Sequence, residues 1–270
     1  MLKKMSSVPY IVWMLLFVIV PLGIVVYFAF TAEGGGFTLD NLVQISKYTP
    51  VFVKSINLAV IATIVCFILA YPLSYLLSRA SANYQRTMLM LVMIPMWMNF
   101  LLRTYGWMTL LENEGLINKF LGFFHLGPFQ MINTPGAVVL GMVYNYLPFM
   151  ILPLYSIMAK IDQSVIEAAQ DLGCNSIMVI VKVLFPLSLP GIITGITMVF
   201  VPSVSTFIIS RMLGGGQNMM IGDLIEQQFV GSAYNPYMGS AMALILMVIM
   251  LLVMGIMSSL DDDEMEGIVI

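Results

Sequence analysis

The sequence has few charged residues. Only 9% of its 270 residues are Asp, Glu, Lys or Arg, whereas 60% are hydrophobic. A water-soluble domain of this length needs far more polar surface to cover its core. The composition therefore excludes a soluble globular protein and predicts a chain embedded in a lipid bilayer.

Basic residues are too few and too scattered for a nucleic-acid-binding surface. The chain has 11 Lys and Arg against 14 Asp and Glu, which gives a net charge of -3. Binding to DNA or RNA normally requires Lys and Arg gathered on one face. The sequence therefore excludes nucleic acid as a partner.

Cysteine and histidine are also scarce. Cys66 lies inside an apolar run and Cys174 in a polar connection, so they form neither a CxxC motif nor a disulfide framework. His125 stands alone, and no His, Asp or Glu cluster within the apolar segments has the spacing of metal ligands. The sequence therefore predicts no metal site and gives little support to a membrane enzyme.

The glycine-rich loop that binds the phosphates of ATP is absent as well. Such a loop ends in a lysine followed by Ser or Thr. The two glycine triplets, Gly34–Gly36 and Gly214–Gly216, lack that lysine and are interpreted as turns in external loops. The chain is therefore predicted to hold no cofactor of its own.

Long apolar runs are abundant. A helix needs about 20 apolar residues to cross the hydrocarbon core of a bilayer. Six segments qualify and predict an all-α membrane protein with six transmembrane helices: Pro9–Thr31, Ser55–Leu77, Thr87–Met108, Gly136–Met158, Gly191–Leu213 and Tyr237–Ser258.

The basic residues between these segments indicate the orientation in the membrane, because cytoplasmic connections are richer in Lys and Arg than external ones. One side would carry Lys3, Lys4, Arg79, Arg86, Lys160 and Lys182, and the other side Lys47, Lys54 and Lys119. Both termini of this multi-pass cell-membrane protein are therefore predicted in the cytoplasm. We expect a first helix and external loop over residues 1–50, a transmembrane domain over 51–259 and an acidic cytoplasmic tail over 260–270.

The predicted cytoplasmic connection at about residues 160–190 begins with the pattern of a short helix. Ser164 and Glu167 have the spacing of a capping box, which predicts that the helix is capped by Ser164. Gly173 would end this helix, because glycine readily adopts the left-handed conformation of a C-terminal cap.

A second helical stretch is predicted at Ile177–Phe185, bounded by Pro186 and Pro190 because proline interrupts helical hydrogen bonding. The first helix carries the small residues Ala168 and Ala169, whose short side chains permit the close approach of another backbone. The connection is therefore predicted to be a docking element for a cytoplasmic partner.

These residues resemble a known motif. Glu167-Ala168-Ala169, then Gly173 and the run Val183–Pro186, are similar to the EAA loop of binding-protein-dependent ABC importer permeases. That loop usually has isoleucine and leucine where this chain has Val183 and Phe185, and both replacements are apolar. Further stretches resemble the first permease subunit of spermidine/putrescine importers: Leu102–Trp107, Tyr146–Tyr155, and Leu213–Gly216 together with Met220–Asp223.

The resemblance implies a type I ABC importer permease fold that carries polyamines. The residues that would couple the chain to the ATPase subunit are Glu167, Ala168, Ala169, Leu172, Gly173 and Pro186. ATP and Mg would be bound by that separate subunit, present in two copies. The resemblance also implies a second, different permease subunit and an external solute-binding protein.

In this family the translocation path runs between two permease subunits, so polar residues in the later spans are candidates to line it. They are Tyr144, Asn145 and Tyr146 in the fourth segment and Ser203, Ser205 and Thr206 in the fifth, where contact with lipid would be unfavourable. The alternative is that they form hydrogen bonds between helices without touching a substrate. Arg103, near the outer end of the third segment, would repel a cation and is expected to have a structural or gating role.

Acidic residues are expected on the external side. Asp223 and Glu226 lie in the predicted last external loop, and Glu112 and Glu114 in an earlier one. Our hypothesis is that these carboxylates guide a polycation handed over by the external binding protein. The alternative is that they are ordinary solvated loop charges.

Two other functions remain open. The same architecture would serve another small solute, since specificity lies mostly in the external binding protein. An ion-coupled secondary transporter should show ionisable residues near the middle of the membrane or inverted repeats, and neither is clear in this sequence.

Overall fold

The computed structural model describes residues 8–231 and 233–267, which are predominantly helical. The helices are α1 (Val8–Met14), α2 (Val20–Ala29), α3 (Asp40–Gln44), α4 (Thr49–Ser78), α5 (Ala82–Trp97), α6 (Phe100–Leu111), α7 (Leu116–Phe123), α8 (Pro135–Met158), α9 (Gln163–Asp171), α10 (Ser176–Val179), α11 (Phe185–Leu187), α12 (Leu189–Ser205), α13 (Ile208–Gly214), α14 (Ile221–Val230) and α15 (Pro236–Gly267). π-helical turns at Leu15–Ile19 and Ile180–Leu184 and a 3-10 turn at Ile45–Tyr48 join neighbouring helices. Lys3 and Lys4 lie outside the described residues.

Most of these helices belong to candidate membrane spans, whereas α9, α13 and α14 lie outside them. Four are long and apolar enough to cross a membrane unbroken: Pro9–Ala29, Asp40–Ser78, Pro135–Met158 and Pro236–Ser259. Two more are helix pairs, Ala82–Trp97 with Phe100–Phe123, bent by 90°, and Ser176–Leu187 with Leu189–Ser205, bent by 72°. With each bent pair counted once, the described part of the chain has six spans, which confirms the predicted all-α membrane protein.

The third span is broken, so the prediction of one continuous helix over Thr87–Met108 is wrong. Helix α5 ends at Trp97, and the next residue, Met98, has an extended backbone (φ -75°, ψ 149°). The side chain of Asn99 then starts α6 by accepting a hydrogen bond from the Leu101 N–H at 2.8 Å. Such a cap satisfies a free N–H group at a new helix start, whereas hydrophobic run length carries no information about it.

The fifth span also departs from the predicted helix over Gly191–Leu213. Helix α12 ends at Ser205, Thr206 is extended (φ -63°, ψ 140°), and α13 begins only at Ile208. Pro202 lies in the last turn of α12 and has no N–H to donate. The helix therefore stops inside the apolar run that predicted it.

Helices α4, α8 and α12 pack on one another and form the centre of the molecule. The face of α4 that meets α8 carries small, fully buried residues: Ala62, Cys66 and Ala70. On α12, a Cβ atom at Gly195 would lie 2.6 Å from the sulfur of Met150 on α8. Small residues let helix backbones approach closely where lipid supplies no hydrophobic driving force.

The first and last spans lie beside each other at the edge of this centre, with α2 against α15. Helix α15 continues as far as Gly267, so the backbone of the predicted acidic tail is helical up to that residue. The side chains of residues 260–267, which include its carboxylates, lie outside the described part of the structure.

Candidate functional site

The predicted docking connection forms a folded unit of its own, residues 163–188, which we call the coupling segment. Its inner side is a small core in which Ile166 of α9 packs with Val179 and Leu184. This core holds α9 and the helices after the bend together. The two arms of the segment therefore have a fixed relative position.

Asp162, rather than Ser164, caps α9. The Asp162 carboxylate accepts a hydrogen bond from the Ser164 N–H at 3.0 Å, and α9 begins at Gln163. The predicted capping box of Ser164 with Glu167 is therefore wrong by two positions, and Glu167 lies exposed in the middle of the helix. The hydrogen bond from Ser164 lowers the pKa of the Asp162 carboxyl, because it favours the charged form.

Gly173 forms the predicted bend. Its φ of +88° is left-handed, and the Gly173 N–H donates to the carbonyl of Gln170 at 2.9 Å. The next N–H, of Cys174, donates to Ala169 at 3.1 Å. No atom of the described residues lies within 4 Å of a Cβ placed on Gly173. Glycine is therefore required here for its backbone conformation and not for lack of space.

The second helical stretch does not stop at Pro186 as predicted. Asn175 caps α10 by accepting from the Met178 N–H at 2.8 Å, and the helical path continues through Ile180–Leu184 into α11. Pro186 is the second residue of α11, which follows directly after the π-helical turn. The direction changes between α11 and α12 instead, at Ser188.

Most of the predicted coupling residues form the outer surface of the segment. Leu172 is 87% exposed, an unusual position for a leucine at a helix end. Ala169 is half-buried because it also packs on the inner core. The exposed members of the predicted set are Glu167, Ala168, Leu172, Gly173 and Pro186.

The candidate path residues Tyr146, Ser205 and Thr206 lie at the break in the fifth span but differ in exposure. The Tyr146 hydroxyl lies 3.4 Å from the Pro202 carbonyl oxygen, and Thr206 is buried at the break itself. Ser205 is exposed. Tyr144 is half-buried, with its ring edge against Trp107 at a centroid distance of 5.4 Å.

Asn145 and Ser203 are buried and bond within their own helices. The Asn145 amide donates to the Gly141 carbonyl at 2.8 Å, and the Ser203 hydroxyl donates to Val199 at 2.6 Å. Among the described residues, the Asn145 side-chain oxygen has no hydrogen-bond partner. Both hydrogen bonds lie within a single helix, so they are not the bonds between helices that the alternative predicted.

The sequence predicted Asp223 and Glu226 in an external loop, and that prediction is wrong. Both residues lie on α14, between the fifth and sixth spans. Asp223 is only 2% exposed and accepts a hydrogen bond from the Met220 N–H at 2.8 Å. Burial raises the pKa of its carboxyl, and the Met220 hydrogen bond opposes that rise. Asp223 is therefore a buried helix cap, not a solvated charge.

Glu226 is paired with a residue that the sequence did not suggest. Arg211 donates to both carboxylate oxygens of Glu226, one of them at 3.0 Å. Arg211 falls inside the predicted fifth segment, Gly191–Leu213, and the sequence suggested no partner for it. Sequence spacing carried no signal for this pair, since the two residues lie on different helices.

Glu112 and Glu114 are exposed and line an open cavity of about 420 Å³ together with Asn113 and Asn133. This cavity has an acidic lining among its described residues. Arg103 lies in the first turn of α6, beside the break in the third span, and not near the outer end of a continuous helix. Its guanidinium lies 5.9 Å from the centre of the Phe100 ring.

Comparison with known families identifies the group to which this architecture belongs. The family described as binding-protein-dependent transport system inner membrane component matches residues 4–263. The chain belongs to this family. The spermidine/putrescine transport system permease protein PotB of Escherichia coli (strain K12) is 35% identical over 248 residues, which cover 88% of this chain and 90% of that protein.

Solved transporters have the same fold. A bacterial ABC transporter involved in the import of the acidic polysaccharide alginate superposes with a TM-score of 0.82 at 14% identity, covering 97% of this chain and 95% of its own. An alginate ABC transporter in complex with a pentasaccharide-bound periplasmic protein gives 0.79 at 16% identity, covering 95% and 92%. The chain is a permease subunit with the type I importer fold, and ATP hydrolysis belongs to a separate subunit.

Proposed function

We propose that this chain is one of two channel-forming subunits of an importer that carries spermidine and putrescine into the cell at the expense of ATP. The observation that supports coupling is the coupling segment itself, in which Ile166 packs inward while Glu167 and Leu172 face outward. An apolar side chain left as exposed as Leu172 is typical of a surface that a partner covers. The polyamine assignment rests on the 35% identity with PotB.

The complete importer would contain a second permease subunit, two ATP-binding subunits that hold ATP and Mg, and an external solute-binding protein. The coupling segment would dock into an ATP-binding subunit on the cytoplasmic side. Arg79, Arg86, Lys160 and Lys182 lie at this end of the spans or within the segment, which supports this orientation. Both termini would then be cytoplasmic.

The path would run along the break in the fifth span. Ser205, Tyr144 and Tyr146 retain exposed surface, and we assign them to the wall that faces the second permease subunit. A polyamine would approach along the acidic cavity of Glu112 and Glu114 rather than at Asp223 and Glu226. Glu226 is already paired with Arg211, and Asp223 is buried with one oxygen accepting from the Met220 N–H.

The test is uptake of labelled spermidine and putrescine by cells that lack their own polyamine importers and express this chain with its partner subunits. We expect uptake that depends on ATP and is lost in Gly173→Asp. A complex that assembles and hydrolyses ATP but takes up neither polyamine would leave the importer architecture intact and exclude the substrate.

A further inference from the structure

The C-terminal end of α4 contacts the coupling segment and its links to the spans. Tyr71 and Tyr75 lie on α4, and Arg79 caps its C-terminus; the three are spaced four residues apart and contact the segment from the same side. We call these three residues the α4 stripe. Each of them contacts a different part of the coupling segment or of its links to the spans.

Arg79 holds the entry to the segment. Its guanidinium donates to the carbonyl of Ile161 at 3.0 Å and to that of Met158 at 3.5 Å. Met158 is the last residue of α8, and Ile161 precedes the Asp162 cap of α9. Free carbonyl groups at a helix C-terminus carry partial negative charge and are good acceptors for a cation. Arg79 therefore fixes the short link between α8 and α9.

Tyr75 lies under the middle of the segment. It packs against the inner core formed by Ile166, Val179 and Leu184. Its ring also lies 6.0 Å from the Arg79 guanidinium carbon. The core of the coupling segment therefore packs against α4 through Tyr75.

Tyr71 holds the exit from the segment. Its hydroxyl lies 3.2 Å from the hydroxyl of Ser188, and either oxygen can donate. Ser188 is fully buried at the bend of 72° between α11 and α12. The Tyr71 ring also packs against Phe185 at a centroid distance of 6.2 Å. Tyr71 therefore holds the link to α12, as Arg79 holds the link to α8, through a single hydrogen bond and ring packing.

We propose that the α4 stripe is the device that passes a displacement of the coupling segment to α8 and α12 together. The segment is joined to α8 through residues 159–162 and to α12 through Ser188. A link that bends freely would absorb the displacement locally. Because the stripe binds both links and the core between them, the segment moves as one body with α4, α8 and α12. Arg79 and Tyr71 are positioning residues in this scheme. The inference rests on the proposed docking of the segment to an ATPase.

The test compares substitutions on the stripe with matched substitutions nearby, in the assembled importer with its ATPase and binding protein in lipid vesicles. Arg79→Gln removes the guanidinium, and Tyr71→Phe removes only the hydroxyl. Arg86→Gln and Tyr84→Phe are the controls, because both residues are exposed on neighbouring α5.

We expect the amount of spermidine taken up per ATP hydrolysed to fall about tenfold in Arg79→Gln, since hydrogen bonds from a charged group are lost. Tyr71→Phe should cause a smaller fall, and both controls should keep the native ratio. Ser188→Ala also removes the hydrogen bond from the Ser188 hydroxyl to the Phe185 carbonyl at 3.0 Å, so it should lower the ratio at least as much as Tyr71→Phe. Adding Tyr71→Phe to Ser188→Ala should lower the ratio no further, because their shared hydrogen bond is already lost. Arg79→Lys, which keeps the charge but not the fork, should be intermediate and serves if Arg79→Gln fails to assemble.

A second measurement does not depend on the solute. On addition of ATP, hydrogen exchange should change in α8, α9 and α12 of the native complex. In Arg79→Gln the change should no longer reach α8, and in Tyr71→Phe it should be weakened in α12. A native uptake ratio in the stripe variants, or an exchange change that still reaches α8 in Arg79→Gln, would overturn the proposal. A native complex that takes up no polyamine but shows the linked exchange change would instead overturn only the substrate.

Discussion

Gly222 packs directly against the break in the fifth span: a Cβ atom placed on it would lie 2.5 Å from the carbonyl oxygen of Ser205. It would lie 2.6 Å from the carbonyl oxygen of Thr206 as well. Both neighbours are main-chain atoms, which cannot turn aside as the end of a flexible side chain does. The start of α14 is thus closely fitted to the point where α12 stops.

Gly222→Ala should therefore destabilise the permease. The added methyl group has to displace α14 or the break itself, and overpacking of this kind costs about 1–3 kcal/mol. Thermal unfolding of the purified protein in detergent measures the effect. Gly255→Ala on α15 is the matched control, because no described atom lies within 4 Å of its Cβ position, and it should unfold close to the native temperature. Equal unfolding temperatures for the two variants would contradict this close fit.

The sequence predicts the spans and the bend at Gly173, but it does not predict where the helices break. The spans are evident from run length, and Gly173 is evident because few other residues adopt its conformation. The breaks after Trp97 and Ser205 are not evident, since Pro95 and Pro202 sit inside helices and hydropathy is the same on both sides. A proline shows that a helix is weakened, but not where the chain leaves it.

The polar residues of the site are also only partly predictable from the sequence. Tyr146 and Thr206 are recognisable as polar groups in apolar runs, and the structure brings them to one break. The Arg211–Glu226 pair joins two helices whose relative position only the fold determines. Its effect is to remove from Glu226 the free charge on which the sequence-based hypothesis depended.

Substitution of the acidic residues should show whether Glu112 and Glu114, rather than Glu226, attract the polyamine. Glu112→Gln combined with Glu114→Gln should raise the apparent KM for spermidine by about twofold to fivefold at low ionic strength, because exposed carboxylates attract a polycation from a distance. The increase should disappear at high salt, since screening shortens the range of that attraction. Uptake kinetics at several salt concentrations measure both effects.

The control in this experiment is Glu226→Gln. The Arg211–Glu226 pair is partly exposed, with side chains 50% and 24% accessible, so it contributes at most about 1 kcal/mol to stability. Its loss should leave the KM for spermidine and its salt dependence unchanged. A larger increase in KM from Glu226→Gln than from the double variant would support the original hypothesis that the carboxylates of α14 guide the polycation.

The buried carboxyl of Asp223 predicts a pH dependence of stability. Burial raises its pKa in the folded protein, so ionisation disfavours folding, and stability should fall as the pH rises from the unfolded pKa, about 3.9, through the raised folded pKa. Asp223→Asn keeps an oxygen that accepts the Met220 N–H but carries no charge. Its unfolding temperature should therefore equal or exceed that of the native protein at neutral pH, and the difference should shrink on acidification.

Asp223→Ala is the companion variant, because it removes the helix cap together with the charge. It should be less stable than Asp223→Asn at every pH. Thermal unfolding between pH 5 and pH 8, about the range a detergent-purified protein tolerates, distinguishes the three proteins. If the unfolding temperature of the native protein rises relative to that of Asp223→Asn as the pH rises, the folded protein stabilises the charged carboxylate and burial is not the dominant effect.

Substitutions at Gly173 distinguish a requirement for backbone conformation from a requirement for space. The residue has φ +88° and open surroundings within the chain, so the strain of each replacement depends on how well it tolerates the left-handed region. Asn tolerates that region best among the other residues, and β-branched Val tolerates it poorly. Uptake of spermidine should therefore decrease in the order Gly, Asn, Ala, Val. If instead Asn abolishes uptake as fully as Val while the complex still assembles, the ATPase surface must exclude any side chain at this position, and the glycine serves the docking contact itself.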